Sequence, residues 1–179
     1  IFSTIILVAA IIVFCFSGFQ LFRIFYGYHK GDQEYDNLKE IGISADAGTG
    51  EESTRYTVDF EELWKVNEDI IAWIRFDEPS IISYPVVQGK DNQEYLDKTI
   101  SGYPNTYGAI FLNVSNNKDM TDKNSVIYGH RMNSKSMFGK LEEYQDEEFY
   151  RSYPYFYIYT PDGKELKYQI FAVGEVNDT

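Results

Sequence analysis

Residues 1–22, IFSTIILVAAIIVFCFSGFQLF, carry no charged side chain. An uncharged apolar run of roughly 20 residues is the length a helix needs to cross a ~30 Å hydrocarbon layer. Ser3, Thr4 and Ser17 can return their hydroxyls to the helix backbone, so they do not forbid insertion. Phe19, Phe22, Phe25, Tyr26 and Tyr28 cluster where the run ends, as expected at a lipid–water interface, and His29 reads as part of the same interface. The competing interpretation is a cleaved signal peptide. It calls for a shorter apolar core followed by a small-x-small cleavage site, and no such site is evident. Residues 1–22 are therefore expected to be a retained single-pass anchor. Arg23 and Lys30 come next and the chain then turns acidic, a weak indication that the domain after the anchor faces outward.

The remaining length suits one domain with an appendage. Hydrophobic residues make up 44% of the chain and aromatics 17%, enough to build a core. The aromatics are mostly Tyr (16) and Phe (13), which favours strands over helices. A net charge of −12 argues against a nucleic-acid partner, which would require a basic face. Cys15 is the single cysteine, so an internal disulfide and a zinc site built from cysteines are both excluded.

Residues 23–57 read as a juxtamembrane tether, poor in large apolar side chains after Gly31, with a short helix around residues 35–41. A folded domain is expected over 58–179. Asp59 can cap a helix, with Glu62 as its reciprocal partner, and Phe60, Leu63, Trp64 and Ile71 fall on one face. Short β-rich runs come after it at 71–76, 81–87, 109–113, 125–128, 155–160 and 166–176. Turn residues separate them at 78–80 (Glu-Pro-Ser), 88–90 (Gln-Gly-Lys) and 161–163 (Pro-Asp-Gly), the last predicting a hairpin. Asp91 can cap a short helix through Leu96, and Asp146 another through Arg151, with Glu147 and Glu148 suited to its N-terminus. Many short strands with few helices predict a mainly β domain, a barrel or sandwich with peripheral helices. The last run, KYQIFAVGEV, would leave a long apolar edge, which proteins usually pair or cover. More strands are expected beyond it.

The densest local signal is residues 124–141, NSVIYGHRMNSKSMFGKL. A β-run ends in Tyr128-Gly129-His130. A strand end fixes the direction of a side chain, and the glycine permits close approach. Spacing alone leaves His130 open between a catalytic group and a polar residue at a strand–loop junction.

The run YGHRMNSKSMFGKL resembles the histidine segment of class B sortases. ISYPVVQGKDNQEYL is similar to an early strand and the following helix of that family, and WIRF and GAIFLN also match, all in the family's order over about residues 60–176. The resemblance implies a sortase-like closed β-barrel, incomplete here. It also implies a cysteine transpeptidase on the outer face of a Gram-positive cell. Its thiolate would attack a C-terminal sorting motif of a secreted protein, and the thioacyl enzyme would be resolved by a cell-wall precursor amine. A histidine would carry the proton and an arginine would stabilise the oxyanion. By this resemblance His130 is the catalytic histidine, and Asn92 and Leu96 line the substrate groove, although helix capping and packing would equally explain that pair. No cofactor or metal is implied. The partners are the secreted protein, the peptidoglycan amine and the membrane.

The family's Thr-Leu-x-Thr-Cys strand and its later arginine have no counterpart here. Cys15 cannot substitute, because a thiol in lipid has a raised pKa and cannot reach His130. Neither Arg131 nor Arg151 matches the arginine position. The polypeptide as given is therefore expected to be inactive. Two other classes are a membrane-anchored binding barrel without catalysis and an unrelated extracellular adhesion or sensing domain. The oxygen-rich stretch 113–124 lacks EF-hand spacing and reads as a solvated turn. Asn113-Val114-Ser115 matches a glycosylation acceptor, a motif common by chance. Glu51-Glu52 and Glu142-Glu143 read as solvated faces. The coding frame beyond the Thr179 codon is expected to continue into a cysteine-bearing strand and a later arginine strand. A stop codon in its place would favour the non-catalytic barrel.

Overall fold

A computed structural model describes residues 2–46, 54–77 and 82–175. It begins with one long helix, α1 (Phe2–Gly42). Helix α1 is long and apolar enough to cross a membrane by length and composition. From Phe2 to Tyr26 its large apolar side chains are exposed rather than packed on protein. The helix then runs without a break through residues 27–42, where a tether with only a short helix was expected. The reason lies in a stripe that glycine obscures. Tyr28, Gly31, Tyr35, Leu38 and Gly42 recur at helical spacing, and all but the partly buried Tyr28 are buried. A Cβ at Gly31 would meet the Tyr107 ring at 2.8 Å, and one at Gly42 would meet Leu63 at 2.6 Å. The stripe therefore joins large rings with gaps that admit large rings from the domain. Tyr28 stacks on Tyr107 with ring centres 5.2 Å apart, so this face of the helix packs on the domain.

A hairpin-like pair, β1 (Ile43–Asp46) and β2 (Arg55–Val58), leads into α2 (Phe60–Val66). Asp59 caps α2 by accepting from the Glu62 amide at 3.0 Å. The reciprocal half of the expected box is absent: the Asp59 amide donates to the Gly42 carbonyl at 2.9 Å, and the Glu62 carboxylate pairs with Lys65. Phe60 and Leu63 are buried, whereas Trp64 stays partly exposed and donates its indole N–H to the Ile70 carbonyl.

Six strands form one curled sheet in the order β6-β5-β4-β3-β7-β8. They are β3 (Ile70–Phe76), β4 (Ser83–Val87), β5 (Ile110–Leu112), β6 (Ile127–Tyr128), β7 (Tyr155–Tyr159) and β8 (Glu165–Gln169). All seven residues of β3 are buried, as befits a central strand. A 3-10 helix (Gly139–Gln145) and α3 (Glu147–Ser152) precede β7, and Asp146 caps α3 by accepting from the Phe149 amide. The hairpin at 161–163 forms as expected, with Gly163 at φ +79°. The last strand is shorter than the expected 166–176. Its partner β7 starts at Tyr155, so ladder pairing ends at Gln169, and Phe171 is almost fully exposed. The Glu-Pro-Ser turn at 78–80 and the Glu51-Glu52 pair lie outside the described residues.

Residues 91–96 form turns and not the expected helix. Asp91 does cap them, accepting from the Gln93 and Glu94 amides. The carbonyls that would extend a helix are engaged elsewhere: Tyr95 accepts from the Ala109 amide at 2.9 Å and Leu96 accepts from His130 at 2.7 Å.

One buried cation sits in the sheet. Arg75 on β3 lies 3.7 Å above the Tyr56 ring and 4.6 Å from that of Tyr157. It donates to the Tyr159 hydroxyl and pairs with Asp77. Burial pushes the Tyr159 phenol up to about 12, against the opposing pull of Arg75. Replacing Arg75 by Ala removes the cation–π contacts and the hydrogen bond to the Tyr159 hydroxyl, which keeps Glu165 as its remaining partner. It should cost about 3 kcal/mol in urea unfolding, and a loss under about 0.5 kcal/mol would contradict this packing. The folded Tyr159 keeps its proton to a higher pH than the unfolded chain does. Stability should therefore fall as pH rises from about 10 towards 12, with a shallower fall in Tyr159→Phe.

Candidate active site

β4 and β5 run parallel, Val86 beside Ile110 and Val87 beside Phe111. Parallel neighbours require a crossover, and here it is the segment 88–109. The crossover folds back over the exit of β6 and makes a cleft of about 410 Å³. Asn92, Gln93 and Leu96 line it from the crossover, Phe111 from β5, and Tyr128, Gly129 and His130 from β6 and its exit. The three residues singled out in the sequence, His130, Asn92 and Leu96, thus share one concave surface.

His130 is half-buried, and its Nε2 lies 2.7 Å from the Leu96 carbonyl oxygen. A carbonyl can only accept, so Nε2 carries the proton. In the neutral ring Nδ1 then holds the lone pair, which leaves one nitrogen anchored and the other able to take a proton. The loop after His130 is closed by the Phe138 amide donating to the His130 carbonyl at 3.1 Å. Gly129 makes room for this: a Cβ there would come within 2.8 Å of the Phe138 ring and would also overlap Ile110.

Leu96 therefore contributes its carbonyl as well as its side chain. The Asn92 side-chain oxygen accepts from the Val114 amide at 2.9 Å, which ties the crossover to the loop after β5. That loop is held by buried Gln88, whose amide donates to the Asn113 and Asn116 carbonyls at 2.8 Å each. Within it Asp122 accepts from Asn116 and Asn117, and these hydrogen bonds hold its carboxyl below the usual range. Asn113 itself donates to the Tyr128 hydroxyl at 3.0 Å.

Phe111 and Tyr128 were not singled out in the sequence, although both lie in its β-runs. They are register partners with ring centres 5.0 Å apart, and together they form the aromatic wall of the cleft. Strand pairing brings them together, and a single sequence does not state which strands pair. Gly108 was missed as well. Its φ is +56°, and a Cβ there would meet the Leu96 carbonyl inside contact distance and His130 Cδ2 at 2.9 Å. Arg131 points away into ion pairs with Glu142 and Glu175. Glu142 also pairs with Lys135, so it is more engaged than a solvated face, and Lys135 followed by Arg131 lowers its pKa.

A family model described as the sortase domain matches residues 76–179. Sortase B of Listeria monocytogenes is 32% identical over 91% of this chain, and sortase B of Staphylococcus aureus 28% identical over 94%. A crystal structure of sortase B from Bacillus anthracis superposes with a TM-score of 0.69 at 31% identity, covering 82% of this chain and 68% of that one. The chain belongs to the sortase family, in its class B branch. It spans 65% and 66% of the length of the Listeria and Staphylococcus relatives.

In this sortase, Gly108 and Gly102 separate backbone strain from crowding. Both have positive φ, but a Cβ at Gly102 would meet nothing within 4 Å. Gly102→Ala should cost about 1 kcal/mol from its left-handed backbone alone. Gly108→Ala should cost about 3 kcal/mol and displace His130 from Leu96. Equal losses in thermal or urea unfolding would contradict the close packing of crossover and histidine.

Proposed function

We propose that this chain is part of a membrane-anchored transpeptidase that cleaves a C-terminal sorting motif of secreted proteins and joins them to a cell-wall amine. The observation that carries the reading is the meeting of His130, Asn92 and Leu96 in one cleft, with His130 oriented by a backbone carbonyl. Membership of the sortase family supports the same chemistry.

In this reading Nδ1 of His130 first takes the proton of a cysteine thiol, and the thiolate so formed adds to the motif's backbone carbonyl. The C–N bond breaks, and His130 gives the leaving amine its proton. A thioester remains. The acceptor amine attacks it and passes a proton to His130 as the thiolate departs, so that one amide replaces another. Asn92, Leu96, Phe111 and Tyr128 hold the extended motif against the cleft. The thiol belongs outside the residues that line this cleft. Cys15 is the one cysteine in the sequence and lies exposed on α1. The helix rises about 30 Å between Cys15 and Tyr35, where α1 is packed on the domain. The apolar half of α1 serves as a single-pass anchor that holds the domain at the outer membrane face of a Gram-positive cell.

In a protein that carries this chain together with a cysteine-bearing strand, His130→Ala should lower transfer of a sorting-motif peptide to an amine by at least about 100-fold. Asn92→Ala should act mainly on KM. Full activity in His130→Ala would refute the assignment. The 179-residue polypeptide alone should form no thioacyl adduct by mass spectrometry, and any turnover by it would contradict the reading.

A further inference from the structure

One face of α1 reaches both segments that wall the histidine. The Tyr35 hydroxyl donates to the Gly108 carbonyl at 2.6 Å in a buried setting. The Glu34 carboxylate accepts from the Ser101 amide at 2.8 Å, and the Gly27 carbonyl accepts from the Asn105 side chain at 2.7 Å. Asn105 in turn accepts from the Tyr107 amide. The Tyr107 hydroxyl lies between Asp32 of α1 and Ser134 and Ser136 of the loop after His130. Tyr35 also packs edge-on against Tyr84, and the Tyr84 hydroxyl accepts from the Met137 amide at 3.2 Å. Met137 is buried and held at φ +52°, a conformation that needs outside support.

These contacts converge on the ring. Gly108 packs so closely on His130 Cδ2, Leu96 O and Tyr95 O that a Cβ there has no room. Any drift of the Gly108 peptide therefore moves the surface on which the ring and its carbonyl partner rest. The anchor for that peptide is a phenol on the helix that continues into the apolar segment, 73 residues away in sequence.

We infer that Tyr35 is a positioning residue for His130: by holding the Gly108 carbonyl, the membrane-proximal helix fixes the imidazole against Leu96. This rests on reading His130 as the proton carrier of the cleft. Without the phenol, Gly108 loses its partner, the crossover loosens over 97–108, and the Nε2–H opens to solvent. The docked half of α1 then braces the active site from behind its lining residues, as well as continuing the anchor.

The chain has two histidines, His29 and His130, so the ring can be followed by nitrogen NMR on the whole polypeptide in lipid nanodiscs, with His29→Gln providing the assignment. In Tyr35→Phe the His130 Nε2 proton should exchange with solvent at least about tenfold faster, as expected for one lost buried hydrogen bond. Tyr107→Phe should move it in the same direction. Tyr159→Phe, which loses a buried hydroxyl contact with Arg75 elsewhere in the sheet, should leave it unchanged. If Tyr35→Phe fails to fold, Glu34→Gln at the exposed clamp should give a smaller rise in the same direction. An unchanged His130 proton in Tyr35→Phe overturns the inference, as does an equal acceleration in Tyr159→Phe. The test is independent of turnover: an enzyme indifferent to His130→Ala would remove the catalytic reading, whereas the exchange rate reports only on the brace.

Discussion

The parallel pairing of β4 with β5 is the constraint on which the candidate site depends. Antiparallel neighbours can be joined by a two-residue turn, but parallel ones cannot. The chain must therefore leave β4 at Val87, travel over the sheet and return at Ile110. That excursion supplies Asn92 and Leu96, and its return supplies Phe111. It is held by side chains in place of a regular helix: Asp91 caps its first turn, Asn67 and Asp69 bind the Tyr95 hydroxyl, and Asn67 also donates to the Ile100 carbonyl. Because its carbonyls are not used in a helix, Leu96 has one to offer His130.

The aromatic content has a structural use beyond filling a core. Tyrosine joins a large apolar ring to a hydroxyl that can reach a distant backbone or side-chain group. Tyr35, Tyr84 and Tyr95 each use that combination to fasten one segment to another. Burial raises the pKa of all three phenols, so each stays neutral across the physiological range. Such links weaken only at alkaline pH. Around Arg75 the same residue type performs the opposite task, surrounding a buried charge with ring faces.

Much of this architecture can be read from the residues. The buried run of β3, the Asp59 and Asp146 caps and the Pro-Asp-Gly hairpin all arise from local chemistry. So does His130 at the exit of a short strand, because a β-run ending in Tyr-Gly-His leaves few other placements. Less was legible where a segment's state is set from a distance. The docked half of α1 reads as a tether because Gly31 and Gly42 look like breakers until Tyr107 and Leu63 are seen to occupy their gaps. Residues 91–96 read as a helix because the competitors for their carbonyls, Ala109 and His130, lie far along the chain. Gly108 is just another glycine until its crowded neighbours are known.

The fold presents His130 with one nitrogen anchored and the other free to exchange a proton, and the ring's tautomer tests this most directly. A long-range nitrogen–proton correlation spectrum of the wild-type chain, recorded where the imidazole is neutral, should place the His130 proton on Nε2 and the lone pair on Nδ1. A proton found on Nδ1 would mean that the Leu96 carbonyl does not hold the ring, and that the cleft is not a prepared acid–base site.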